Sequence, residues 1–162
     1  MFHSIVKINS NCKYSIQFIP AETIDEIGIK PATHKAMRLA AEKLASIINI
    51  EHILIDGNDN FPFEIARMGA RGSCAPPARR TLLTDYNYII KGDALCDCIA
   101  AASILAKVSR DHYMIEMAEK YPQYGFQKHK GYGTAAHIDT IRKFGLCPLH
   151  RRSFMTAKVL GC

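Results

Sequence analysis

The stretch from Lys91 to Tyr132, KGDALCDCIAAASILAKVSRDHYMIEMAEKYPQYGFQKHKGY, limits the folds open to this chain more than any other. It follows an apolar run, Tyr86 to Ile90, opens on a lone carboxylate, Asp93, in a short polar turn, and then turns into a helix. From Ile99 onward, Ile99, Ala102, Ala106, Met114, Met117 and Ala118 recur at helical spacing, which predicts one face packed closely on a sheet. Lys107 and Arg110 lie on the other face. A loop rich in Gly, aromatic residues and Lys, Tyr121 to Gly133, comes next. Such a surface suits a phosphate backbone and a sugar or base together.

Upstream, Lys13 to Ile19 alternates Tyr14, Ile16 and Phe18 with polar residues, the period of a strand with one buried face. Pro20 ends it. Ala21 to Ile27 reads as a short helix closed by Gly28, with Thr23 and Glu26 at capping-box spacing. Pro31 to Ile48 reads as a long amphipathic helix with Ala36, Met37, Ala40, Leu44, Ile47 and Ile48 on its apolar face. His52 to Ile55 is a short apolar strand that delivers Asp56 into a Gly57-Asn58 turn. Phe61 to Thr84 carries Arg67, Arg71, Arg79 and Arg80 with no sustained period, and residues 66 to 84 read as a basic loop insertion. Near the other end, Thr134 is the expected N-cap of a helix with Ala135, Ile138, Ile141 and Phe144 on its apolar side. Gly145 is the expected C′ residue, Pro148 stops continuation, and a last short helix is expected after it.

A chain of 162 residues with 48% apolar content is about one domain in size and can bury a core. Its 21 Lys and Arg against 15 Asp and Glu leave a net charge of +6, carried mostly after Tyr86, which favours a polyanionic partner. Cysteines 12, 74, 96, 98, 147 and 162 form no CxxC pair. Cys96, Cys98 and His112 make a weak zinc pattern without a fourth ligand. Residues 1 to 13 lack the charged and apolar regions of a signal peptide, and the longest uncharged apolar stretch is far too short to span a bilayer. A cytoplasmic protein with free thiols, no membrane association and no obligate protein partner is expected.

Asp56 and Asp93 each follow an apolar strand. In a parallel pair, that arrangement brings both carboxylates to one edge of the sheet, where they suit a hard divalent cation such as Mg²⁺ or Mn²⁺. Taken alone, each is more commonly an ordinary turn aspartate. Lys107, Arg110, Lys128, Lys130, Arg151 and Arg152 are candidate phosphate contacts, although charge runs are commonly just solvated surface.

The segments HILIDGN, GDA, IAAASILAKVSRD, YPQYGFQKHKGYGTAAH and HRRSF, in that order, closely resemble ribonuclease HII, and TIDEIGIKPATHKAMRLA resembles it more loosely. The resemblance implies a ribonuclease H-like α/β domain over residues 1 to 162, a mixed sheet flanked by helices with a C-terminal helical region. It implies that Asp56 and Asp93 are catalytic metal ligands, two of the family's four acids, with Mn²⁺ or Mg²⁺ as cofactor. It implies that Tyr132 stacks at the ribonucleotide and senses its 2′-hydroxyl. The implied reaction is two-metal hydrolysis of the RNA strand of RNA/DNA hybrids and of ribonucleotides embedded in duplex DNA.

The family's Asp-Glu-Ala-Gly-Arg-Gly motif, which holds the other two acids, has no counterpart here. Asp25-Glu26 lies in a helical pattern and matches a structural segment of the family instead. The first strands of the family fold are therefore expected to be missing, and the chain alone is expected to be inactive or nearly so. A non-catalytic nucleic-acid-binding module and a truncated gene product are the competing readings.

Overall fold

The computed structural model describes residues 7–9, 12–59, 61–63, 65–66, 82–83 and 85–155. In chain order the strands and helices begin with β1 (Lys7–Asn9), β2 (Cys12–Lys13), α1 (Ala21–Ile27), α2 (Ile29–Ala45) and β3 (Ile53–Asp56). There follow β4 (Ile65–Ala66), β5 (Leu82–Leu83), β6 (Tyr86–Ile89), α3 (Gly92–Leu95) and α4 (Asp97–Lys120). A 3-10 turn at Pro122–Tyr124, α5 (Phe126–His129), α6 (Ala135–Phe144) and a 3-10 turn at Arg152–Phe154 complete the order. The mixed α/β class expected from the sequence is the class found. Two compact units divide the chain: Met1–Phe18 with Thr33–Ile104, and Ile19–Ala32 with Leu105–Cys162.

The first unit is built on a parallel ladder between β3 and β6, in register from Ile53 opposite Tyr86 to Asp56 opposite Ile89. Ile55 and Phe63 are buried at its centre, with Tyr86, Tyr88 and the α2 residues Met37, Ala41 and Ala45 packed around them. Spacing of four along α2 puts these three on one stripe, and the two alanines let the helix approach the strands closely. The expected apolar face differs: Ile47 and Ile48 lie exposed beyond the helix end. There the Ser46 hydroxyl donates to the Lys43 carbonyl at 2.7 Å, a local bond that competes with another helical turn.

The strand expected over Lys13 to Ile19 is also corrected. Only Cys12–Lys13 pairs, antiparallel with β1, and residues 14–20 run without regular structure. Alternation supplies the faces of a strand, but a strand exists only through a ladder, and no ladder partner for 14–19 is found among the described residues. β4 and β5 pair antiparallel. They bracket residues 67–81, so most of the expected basic insertion, with its four arginines, lies outside the described residues.

In the second unit, α1 begins after Pro20 and ends at Gly28, whose φ of 83° and N–H to the Ile24 carbonyl close it. Thr23 is inside this helix and caps nothing. Pro20 takes the N-cap position, where its restricted φ fits and its missing N–H costs no hydrogen bond. The core joins Met114, Met117 and Ala118 of α4 to Tyr124, Phe126 and Ile141, with Tyr121, Leu146 and Leu149 among the residues packed against it. Phe126, 1% exposed, stacks on Tyr124 at 5.4 Å, and the Tyr124 hydroxyl donates to the Gly145 carbonyl. α6 is capped as the sequence predicts: Thr134 Oγ1 accepts the His137 N–H, and Gly145, at φ 78°, donates to Ile141. Of its expected apolar positions Ile141 is buried, Phe144 is exposed, and His137 takes the other buried place.

Along α4, Ile99 is buried as expected, whereas Ala102 and Ala106 are exposed. Ile104, Val108 and Ile115 also face outward. The helix carries apolar residues on more than one stripe, so spacing alone could not select the stripe that finds a partner. No helix among the described residues is long and apolar enough to cross a membrane.

Phe126 fills the centre of the second unit, and Phe126→Ala is expected to lower unfolding free energy by about 3 to 5 kcal/mol. A shift of the urea midpoint at unchanged slope is the measurement; a cost below about 1 kcal/mol would show that this aromatic cluster is not the stabilising core.

Candidate metal-binding edge and nucleic-acid surface

The parallel ladder brings Asp56 to the C-terminal edge of its sheet, and the register continues one step further as Gly57 donates to the Ile89 carbonyl at 3.0 Å. Beyond β6 the chain reverses through Lys91, at φ 54°, into α3. Gly92 is buried there and its N–H donates to Asp56 Oδ1 at 2.8 Å. A Cβ at position 92 would lie 2.6 Å from Ile99 Cδ1 and 3.3 Å from Asp56 Oδ1, so a side chain there would displace the end of Ile99 and crowd Asp56. Glycine suits the close approach rather than a torsion angle.

This contact sets Asp93 in the first turn of α3, one residue from the hydrogen bond that holds Asp56. Both aspartates are exposed. Apart from the Gly92 N–H, neither carboxylate has a hydrogen-bond or ion-pair partner among the described residues. The donor set is hard oxygen, which suits Mg²⁺ or Mn²⁺ with water completing the coordination. No third His, Cys, Asp or Glu joins a metal-holding group among the described residues. The Cys96, Cys98 and His112 pattern is excluded by the same finding. Cys98 and His112 lie fourteen residues apart on one helix, about 21 Å along its axis.

The second unit gathers a basic and aromatic surface. Tyr132 is 58% exposed, with the Lys107 ammonium 5.8 Å from its ring centroid. Lys107 is itself paired with Asp111, one helical turn on, at 2.5 Å. Tyr132 follows Gly131, whose φ is 81°. A Cβ on Gly131 would meet Met114 Cε at 3.1 Å and an Arg110 guanidinium nitrogen at 3.7 Å, so Arg110 lies beside the turn. The Arg151 guanidinium sits over Phe154, 3.9 Å from the ring centroid. Burial, and then the neighbouring Arg110 charge, push its pKa down. Lys107, Arg110, Tyr132 and Arg151 are thus linked by contact or by charge.

Lys128 is exposed on α5, and Lys130 turns its ammonium back onto the Gln127 carbonyl, so no contact brings either to Tyr132. Arg152 is exposed and enters through its backbone. Its N–H donates to Asp25 at 2.7 Å, and the Ser153 N–H and hydroxyl donate to the other oxygen of that carboxylate. The Ser153 hydroxyl and N–H hold the Asp25 pKa below its ordinary value. Asp25 is therefore a pin between α1 and the HRRSF segment. With the partners 127 positions apart, no local pattern could have shown it. The sequence reading also missed the part played by His129, His137 and His150, which meet inside this unit.

Fold and edge together define a mixed α/β protein that offers one exposed strand-end carboxylate and a second in the helical turn after the paired strand in one unit, and a cationic, aromatic surface in the other. A family model for ribonuclease HII matches residues 3–157. Ribonuclease HII of Caldicellulosiruptor bescii is 41% identical over 155 residues, covering 96% of this chain and 64% of that protein. The ribonuclease HII of Endomicrobium trichonymphae is 43% identical over 141 residues, 87% of this chain and 58% of that protein. That of Chloroherpeton thalassium is likewise 43% identical over 141 residues, 87% and 59%. The chain belongs to the ribonuclease HII family. It spans about three fifths of the length of these relatives.

The Asp25 pin is tested with trypsin. Asp25→Ala is expected to speed cleavage after Arg151 and Arg152 roughly tenfold, because backbone N–H groups at 152 and 153 lose a charged acceptor. Since folding lowers this pKa from 3.8, the pin is intact above that pH and is lost as pH falls through the lowered folded-state value. Unchanged cleavage would remove the pin from the account.

Proposed function

We propose that the protein acts as an endoribonuclease on RNA/DNA hybrids and on ribonucleotides embedded in duplex DNA. The observation that carries this is the Gly92 N–H to Asp56 contact. It ties exposed Asp56, at the end of a parallel ladder, to the residue before exposed Asp93, in a chain of the ribonuclease HII family. Asp56 and Asp93 are the metal ligands of this reading, with Mg²⁺ or Mn²⁺ as the cation. When bound, such ions supply an activated water and neutralise charge developing at phosphorus, as in two-metal hydrolysis.

The chain's own residues do the rest. Gly92 orients one oxygen of Asp56 and leaves the other for the cation. Lys107, Arg110 and Arg151 attract the phosphate backbone, with Lys128, Lys130 and Arg152 adding charge around them. Tyr132, exposed and backed by the Lys107 ammonium, offers its ring to a sugar or base, where the 2′-hydroxyl separates RNA from DNA.

With two acids in place of four, metal affinity falls and the chain by itself is weakly active at most. A second reading, a non-catalytic binder of hybrid or duplex, is favoured by one observation, the absence of a third acid beside Asp56 and Asp93 among the described residues.

A labelled DNA duplex carrying one ribonucleotide, with Mn²⁺ or Mg²⁺, separates the two. Weak cutting that falls at least roughly 10- to 100-fold in Asp93→Asn supports the nuclease. Metal-independent binding with a steep salt dependence and no cutting supports the binder. Neither binding nor cutting by folded protein would end both readings. Tyr132→Ala is expected to weaken binding to the ribonucleotide duplex while leaving affinity for an all-DNA duplex unchanged.

A further inference from the structure

The backbone of Tyr132 is tied to the interior of its unit by a line of histidines whose protons can be assigned one at a time. The Tyr132 carbonyl only accepts, so His137 Nδ1, 2.9 Å away, carries a proton and donates to it. In a neutral ring this leaves His137 Nε2 as an acceptor. Its partner is His150 Nε2 at 3.0 Å, which must then donate. His150 Nδ1 is left to accept, and the Cys147 N–H donates to it at 2.9 Å. One arrangement of protons satisfies every atom, running from the Cys147 N–H through two neutral imidazoles to the Tyr132 carbonyl.

One added proton is accommodated by reversing the His150 ring: His137 donates from both nitrogens, His150 Nε2 accepts, and His150 Nδ1 donates to the Cys147 carbonyl at 3.3 Å. A second proton has no acceptor, because both Nε2 atoms then carry hydrogen and face each other. Both rings are buried, at 3% and 7% exposure, so water does not rescue the lost bond.

We propose that His137 and His150 are positioning residues for Tyr132, holding its backbone through a chain of imidazoles that breaks when both rings are protonated. The proposal rests on the reading of Tyr132 as the ribonucleotide contact and adds what sets its place. His129 stacks on His137 with centroids 4.2 Å apart; its Nε2 donates to the Tyr124 carbonyl and its Nδ1 accepts the Gly131 N–H. The loop before Tyr132 is thereby tied to the same cluster.

The titratable groups facing the pair carry no charge that would favour protonation. They are His129 from α5, Tyr124 from the 3-10 turn and Cys147 from the turn before His150. Burial raises the pKa of Tyr124 and of Cys147, so both are neutral. Arg151, next in the chain to His150, turns its guanidinium onto Phe154. Burial is the largest cause lowering the pKa of both histidines; at His137 the hydrogen bond to the Tyr132 carbonyl opposes it and His129 adds a smaller lowering, while at His150 the His137 imidazole lowers it further against a smaller raising by the Cys147 carbonyl.

The sign follows. An unfolded histidine takes its proton near 6.5, above the lowered folded values, so the chain is intact above that pH and weakens as pH falls below it.

The test is nitrogen-15 NMR of the full chain labelled at histidine, with amide exchange followed at Tyr132 and Thr134. At neutral pH the Nδ1–H tautomer is expected for His137 and the Nε2–H tautomer for His150. As pH falls below 6.5, exchange, corrected for its intrinsic pH dependence, is expected to rise roughly five- to tenfold in step with protonation of the pair. His137→Asn keeps a donor near the Tyr132 carbonyl and cannot be protonated, so it is expected to hold the loop at acid pH. His137→Phe is expected to release it at every pH.

Either opposite tautomer would overturn the proposal. So would loop exchange indifferent to the titration, or an Asn variant that follows the wild-type pH course. These readouts need no substrate. Failure of the Tyr132 reading shows separately, as loss of the preference for a ribonucleotide duplex at pH 7.5 with the tautomers as expected.

Discussion

The short approach of Gly92 to Asp56 is the contact on which the acidic edge depends. Parallel pairing of β3 with β6 alone would bring a strand end to the right level, but not a second carboxylate beside the first. The chain must leave β6, reverse, and start a helix within three residues, and the only space for residue 92 is bounded by Ile99, Ile89 and Asp56 itself. A residue without a side chain fits there and offers its N–H, which uses one oxygen of Asp56 and leaves the other outward. The same hydrogen bond fixes the start of α3, and so the place of Asp93. Packing, turn geometry and the orientation of Asp56 are satisfied by a single residue.

The second unit solves a different problem, that of presenting a ring and several cations without burying charge. Its interior is aromatic and imidazole in character: Phe126 is flanked by Tyr124, His129, His137 and His150. Buried imidazoles are tolerated because each ring nitrogen of all three has a partner. The cations stay on the surface, either stacked on a ring, as Arg151 is on Phe154, or paired, as Lys107 is with Asp111. Exposed pairs of the latter kind contribute little to stability, so Lys107 can exchange its partner for a phosphate at small cost.

Identity of about two fifths over most of the chain runs alongside coverage of about three fifths of each relative. A strand ending in Asp, a close-packed glycine and a capped helix after the tyrosine loop form here, whereas no group of three or more metal-holding side chains is found among the described residues. The proposed weak activity of the chain follows from that count of ligands rather than from a defect in the edge itself.

Local features were legible in the sequence. The strand over 53–56, the strand over 86–89, the helix closed by Gly28, and the Thr134 and Gly145 caps all follow from periodicity, turn chemistry and hydrogen-bonding groups within a few residues of one another. Alternation over 14–19 misled because it records which faces a strand would have, not whether a neighbour exists to pair with it. Spacing along α4 misled in the same way, since two apolar stripes look alike until one is covered. The tertiary structure alone decided that Asp25 holds Arg152 and Ser153, that His137 meets His150, and that Gly92 sits tightly between Ile99 and Asp56. Each of these is a contact between groups distant in sequence or a limit on space, and neither leaves a period or a motif in the chain that makes it.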